Sequence, residues 1–93
     1  MNNKQFYNVM EEIVPTIVKV LLNSPDYQTV CRCEKCTVDI IALSLNSIPA
    51  RYVTSDDKRN LVYELFGKPF MREMLNKHII GAIHVVRKNP NHD

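Results

Sequence analysis

Apolar residues recur at three- and four-residue intervals along most of this chain, a spacing that predicts helices. Between residues 4 and 22, Phe6, Val9, Met10, Ile13, Ile17, Val20 and Leu21 fall on one stripe. Pro15 interrupts it by removing a backbone donor and crowding the preceding turn, so a kink, or two shorter helices meeting near Val14, is expected. Asn23-Ser24-Pro25-Asp26 then stops the helix. Tyr27 to Cys36 has no helical period and reads as a loop folded around something. From Thr37 the period resumes: Val38, Ile41, Ala42, Leu45 and Ile48 predict one face of a second helix, with Asp39 and Asn46 on its other sides, and Pro49 ends it. Arg51-Tyr52-Val53 should be extended. Ser55 with Asp56 and Asp57 supplies an N-cap and an acidic first turn for a helix ending before Gly67, whose expected buried face is Leu61, Val62, Leu65 and Phe66. After Lys68-Pro69, the positions Phe70, Met71, Met74, Leu75, His78, Ile79, Ala82, Val85 and Val86 keep helical spacing to about Lys88. Gly81 and the β-branched residues of 78–86 leave a short strand there as an alternative.

These elements predict an all-α fold of about four to five helices, with the cysteine loop between the first and second helical segments. At 93 residues the chain has room for one core, so residues 1–93 read as a single domain with a frayed tail from about Asn89. An apolar fraction of 45% against 24% charged residues is that of a folded protein, and only 2 Gly argue against a glycine-punctuated β architecture. Helices of this length must each bury an apolar stripe, and one small chain offers little surface to do so. An intertwined homodimer is therefore expected.

No apolar run approaches the ~18 residues that span a bilayer, and Met1 to Gln5 leads into no signal core, so a cytoplasmic protein without a membrane partner is expected. A net charge of +2 is too small to predict strong direct nucleic-acid binding.

Cys31-Arg32-Cys33-Glu34-Lys35-Cys36 puts three thiols within six residues. The two-residue gap between Cys33 and Cys36 lets a tight turn aim both sulfurs at one ion, and soft anionic sulfur suits Zn²⁺. Three thiolates around Zn²⁺ carry net negative charge, which Arg32 and Lys35 are placed to offset. One zinc per chain on Cys31, Cys33 and Cys36 is expected; burial of the cysteines as small apolar residues accounts poorly for three in a polar loop. A closed site needs a fourth donor. His78, His84, His92, Glu34, Asp39, a residue of a second subunit and water all remain open. The chain has no His-Glu-x-x-His helix, no Gly-x-Ser-x-Gly elbow and no phosphate-cradling glycine loop, so it is not expected to be an enzyme. Thiol redox through Cys33 and Cys36 is a minor alternative.

The segment Cys31-x-Cys33-x-x-Cys36-x-x-Asp39-Ile40, followed by Ala42-Leu43-x-Leu45-Asn46-x-Ile48-Pro49-x-Arg51-Tyr52-Val53, closely resembles the late competence protein ComFB family. Asn8 and Glu12 in the preceding helix fit as well, and the likeness is strongest over residues 5–55. The resemblance implies a small, non-enzymatic helical dimer that binds zinc through these cysteines. It also implies an accessory role in late competence, the uptake of DNA for transformation, with another competence protein as a candidate partner. Some cyanobacterial relatives are described as receptors for cyclic dinucleotides. That adds a second expectation, a receptor for cyclic di-AMP or cyclic di-GMP that regulates competence or motility. In such a site Arg51 could clamp a phosphate and Tyr52 stack on a base beside Asn46. The plainer alternative is that Asn46 caps its helix, Tyr52 packs and Arg51 is a surface residue.

Overall fold

Four helices carry most of the chain in the computed structural model, which describes residues 5–90. They are α1 (Met10–Leu22), α2 (Glu34–Ser47), α3 (Asp56–Phe66) and α4 (Pro69–Lys88), with a 3₁₀ turn at Pro25–Tyr27. Two short antiparallel strands, β1 (Tyr7–Asn8) and β2 (Tyr52–Val53), pair Tyr7 with Val53 and Asn8 with Tyr52. The expected frayed tail falls mainly on residues 91–93, which lie outside the described residues, as does His92.

The boundaries follow local chemistry. Ser55 caps α3 by accepting the Lys58 amide at 3.3 Å, and Pro69 opens α4 where no helical donor is needed. Ile48, held extended at φ −102° and ψ 130° by the following Pro49, closes α2. Residues 78–86 are helical, and Gly81 does not break α4. Pro15 sits inside an unbroken α1: the backbone bond it forgoes would have gone to the carbonyl of Glu11, an exposed residue. The expected division of this helix does not occur.

Where the stripe of residues 4–22 was expected to be wholly helical, the chain is extended at Tyr7–Asn8. Asn8 sets that boundary. Its Oδ1 accepts the amides of Met10 at 3.1 Å and Arg51 at 2.8 Å, which turns the chain into α1 and ties it to the start of β2. Phe6 therefore lies outside the core, 52% exposed, with its ring edge-on to Tyr52 at 5.7 Å.

The core is a layer between α1, α2 and α4. α1 contributes Met10, Ile13, Val14, Ile17, Val18 and Leu22, and α4 contributes Leu75, Ile79, Ala82, Ile83 and Val86. On α2 the buried line is Cys36, Ile40 and Ser44, continued by Ile48; of the expected face Val38, Ile41, Ala42, Leu45 and Ile48, only Ile48 is buried, Ile41 and Leu45 are half-buried, and Val38 and Ala42 are exposed. Ser44 is fully buried because its hydroxyl donates to the Ile40 carbonyl at 2.8 Å. On α3 only Phe66 is buried, Val62 and Leu65 are half-buried, and Leu61 is 62% exposed.

α3 is fastened to α1 by Glu12, whose Oε1 accepts Arg59 Nε at 2.8 Å and the Tyr63 hydroxyl at 2.9 Å. The bond to Glu12 holds the Arg59 guanidinium above its ordinary pKa, and burial, followed by the same carboxylate, raises that of the Tyr63 phenol. A raised Tyr63 pKa means that its contribution is present below about pH 10 and fades as pH rises further. Both partners remain accessible to water, so Glu12→Ala should lower the denaturation midpoint only slightly in denaturant melts.

Candidate metal centre

The start of α2 gathers the three cysteines. Cys33 is the N-cap of the helix and Cys36 lies in its first turn, so only Cys31 and Cys33 belong to the expected loop. The Cys36 amide donates to Cys33 Sγ at 3.4 Å. The three sulfurs lie within 4.8 Å of one another, with Cys31 half-buried, Cys33 exposed and Cys36 fully buried. A tetrahedral ion with metal–sulfur bonds of ~2.3 Å would hold sulfurs ~3.8 Å apart, so a contraction of about 1 Å at most closes them on one ion. The donor set fits a thiophilic metal such as Zn²⁺.

The surroundings explain how a polar loop holds this shape. Val30 is buried and anchors the loop in the core, its amide donating to the Tyr27 carbonyl at 3.1 Å. Arg87 reaches back from α4 to donate to Thr29 Oγ1 at 2.7 Å. Arg32, expected to offset the charge of the sulfurs, instead donates to the Leu22 carbonyl at 2.9 Å and so closes the C-terminus of α1. Cys33 sits at the N-terminus of α2 and its sulfur accepts the Cys36 amide, so the positive end of the helix dipole would offset negative charge on a thiolate there.

Among the described residues no histidine or carboxylate stands with the three sulfurs. His78 lines a separate groove with Leu43 and Ser47, toward the far end of α2. Beside Cys31 and Cys36 lies a cavity of about 240 Å³, walled by Thr29, Val30, Val86, Arg87 and Pro90, with room for a further donor.

The second set of expected residues is differently placed. Asn46 is exposed in the last turn of α2, one residue before its end, so it is not the residue that caps the helix. Arg51 and Tyr52 are exposed at the start of β2; the Arg51 guanidinium lies 5.3 Å over the ring of Phe66, and Tyr52 meets Phe6. The Asn8–Arg51 and Arg87–Thr29 bonds carry no sequence signal of their own, because each joins partners far apart along the chain.

The family of late competence development protein ComFB matches over residues 7–90. The solved structure of the late competence protein ComFB from Bacillus subtilis superposes with a TM-score of 0.72 at 22% identity, covering 92% of each chain, a likeness of fold. No curated protein matches. With its cysteine cluster and both strands inside the matched span, the chain belongs to the late competence development protein ComFB family.

Proposed function

We propose that this protein is a non-enzymatic zinc-binding homodimer that serves late competence as an accessory or interaction protein in the cytoplasm, with another competence protein as its partner. The observation that carries this reading is the convergence of Cys31, Cys33 and Cys36 at the N-terminus of a helix, in a chain of the ComFB family. Each chain would hold one Zn²⁺ on these sulfurs. The fourth donor would come from His92, a second subunit or water, and the cavity beside Cys31 and Cys36 leaves room for a donor from outside the described residues.

The homodimer is supported by α2. At 100° per residue, Val38, Ala42 and Leu45 stand on the side of the helix away from Ile40, so α2 is apolar on two faces. One face is buried in the core, while on the other Val38 stays 53% exposed, Ala42 is exposed and Leu45 is half-buried. A helix apolar on both sides is one that packs on both sides, and a second copy is the partner a small chain always has at hand. Light scattering of purified protein should give twice the chain mass, and metal analysis one zinc per chain. A micromolar monomer would remove the dimer, and metal content near zero in protein purified without chelators would remove the zinc site.

The alternative is a receptor for cyclic di-AMP or cyclic di-GMP through Asn46, Arg51 and Tyr52. Its support is the exposure of all three side chains. Against it, the contacts of Arg51 with Phe66 and of Tyr52 with Phe6 already account for those two residues as packing. Calorimetric titration with both dinucleotides decides: no heat of binding leaves the first reading alone.

A further inference from the structure

Cys33 and Cys36 differ in a way that a metal site does not require. Cys33 is exposed at the N-cap of α2, and Cys36, one turn on, is fully buried. An exposed cysteine at a helix start, followed after two residues by a second, shielded one, is the arrangement in which the first sulfur meets an oxidant and the second resolves the product. We propose that Cys33 and Cys36 form an oxidisable pair, Cys33 attacking a peroxide and Cys36 closing a disulfide, so that oxidation withdraws two of the three sulfurs of the metal site. The pair stands on the geometry alone; its consequence for the metal rests on the zinc reading above.

The chemistry balances with hydrogen peroxide as oxidant. The Cys33 thiolate attacks one peroxide oxygen, the O–O bond breaks, hydroxide leaves, and Cys33 becomes a sulfenic acid. The Cys36 thiolate then attacks the Cys33 sulfur, the S–S bond forms as the S–O bond breaks, and a second hydroxide leaves. Two solvent protons convert both hydroxides to water; the thiolates lose two electrons and the peroxide gains them. The sulfurs start within 4.8 Å, and side-chain rotation in the first turn must bring them to the ~2.05 Å of a disulfide. Cys31 stands outside the helix, in the loop, and is left as a thiol.

The test uses full-length protein whose zinc content is measured first. After a few equivalents of hydrogen peroxide, the remaining thiols are alkylated and the protein is digested with trypsin without reduction. Arg32 and Lys35 place each cysteine on its own tryptic peptide, so the pairing reads out directly. The expected result is a Cys33–Cys36 disulfide, alkylated Cys31, about one zinc released to a chromogenic chelator per disulfide, and reversal by dithiothreitol with added zinc. Cys36→Ser should leave a Cys33 sulfenic acid that dimedone traps; should that variant fail to fold, the wild-type mapping still decides. A disulfide through Cys31, or none under excess peroxide from protein that holds zinc, overturns the pair and leaves the zinc reading intact. A Cys33–Cys36 disulfide in protein that takes up no zinc after reduction by dithiothreitol supports the pair and removes the zinc reading.

Discussion

On the proposed zinc reading, treating the purified protein with a strong chelator is expected to lower its melting temperature by about 15 °C or more. The first turn of α2 and the burial of Cys36 fix the three sulfurs in one arrangement in the folded chain, so binding free energy adds to folding free energy. At free zinc ~1,000 times the dissociation constant, linkage contributes about 4 kcal/mol, and a domain of this size shifts by ~4–8 °C per kcal/mol. The structure also names the variant that isolates this term. Serine is a preferred N-cap, so Cys33→Ser keeps the cap and the exposed position while removing a sulfur. It should melt with the stripped wild type whether or not zinc is added. Cys36→Ser is a poorer probe, because it places a hydroxyl where the thiol is fully buried and destabilises by about 1–3 kcal/mol even without metal. If chelated and untreated wild type melt together, the cysteines hold no stabilising ion.

How far the sequence could be read depended on whether a residue's role is local. Caps, stops and proline positions act over a few residues, and Ser55, Pro49 and Pro69 placed three helix ends correctly. Burial on α2 was misread because periodicity follows hydrophobicity, whereas the line against the core includes a cysteine and a serine. Cys36 and Ser44 are buried with Ile40 on the core side of α2, and the Ser44 hydroxyl is satisfied within its own helix. The more apolar positions Val38 and Ala42 then face outward. Pro15 was read as a break because its forgone bond falls on a carbonyl whose exposure only the fold determines.

The candidate site divides in the same way. Clustering of the cysteines was legible, since close spacing in sequence enforces closeness in space. That Cys33 would be exposed and Cys36 buried was not, because it depends on which face of α2 meets α4. Arg32 was assigned to the sulfurs by proximity along the chain, yet its guanidinium closes α1 ten residues back. The long-range tie from Asn8 to Arg51 spans 43 residues, and the tie from Arg87 to Thr29 spans 58. No pattern confined to one segment could announce either.

Ile79→Ala is expected to be the most damaging single substitution away from the cysteines. Ile79 is fully buried at the middle of α4, where that helix meets the others, and truncation removes its transfer free energy and leaves a cavity that its neighbours fill only in part. The loss should be about 2–5 kcal/mol out of a total of roughly 5–15 kcal/mol for a domain of this size. At ~4–8 °C per kcal/mol, the melting temperature should fall by ~10 °C or more. Val85 provides the contrast on the same helix. It is 52% exposed and lines the groove with Leu43 and Gly81, so Val85→Ala should change the stability of a single chain by no more than about 0.5 kcal/mol. The two variants are compared by denaturant melts at matched protein concentration, with the mass of each followed by light scattering. Equal, small effects would mean that α4 does not organise the core. A large loss for Val85→Ala that grows on dilution would instead place a second copy on the groove between α2 and α4, since only an interface makes stability depend on concentration.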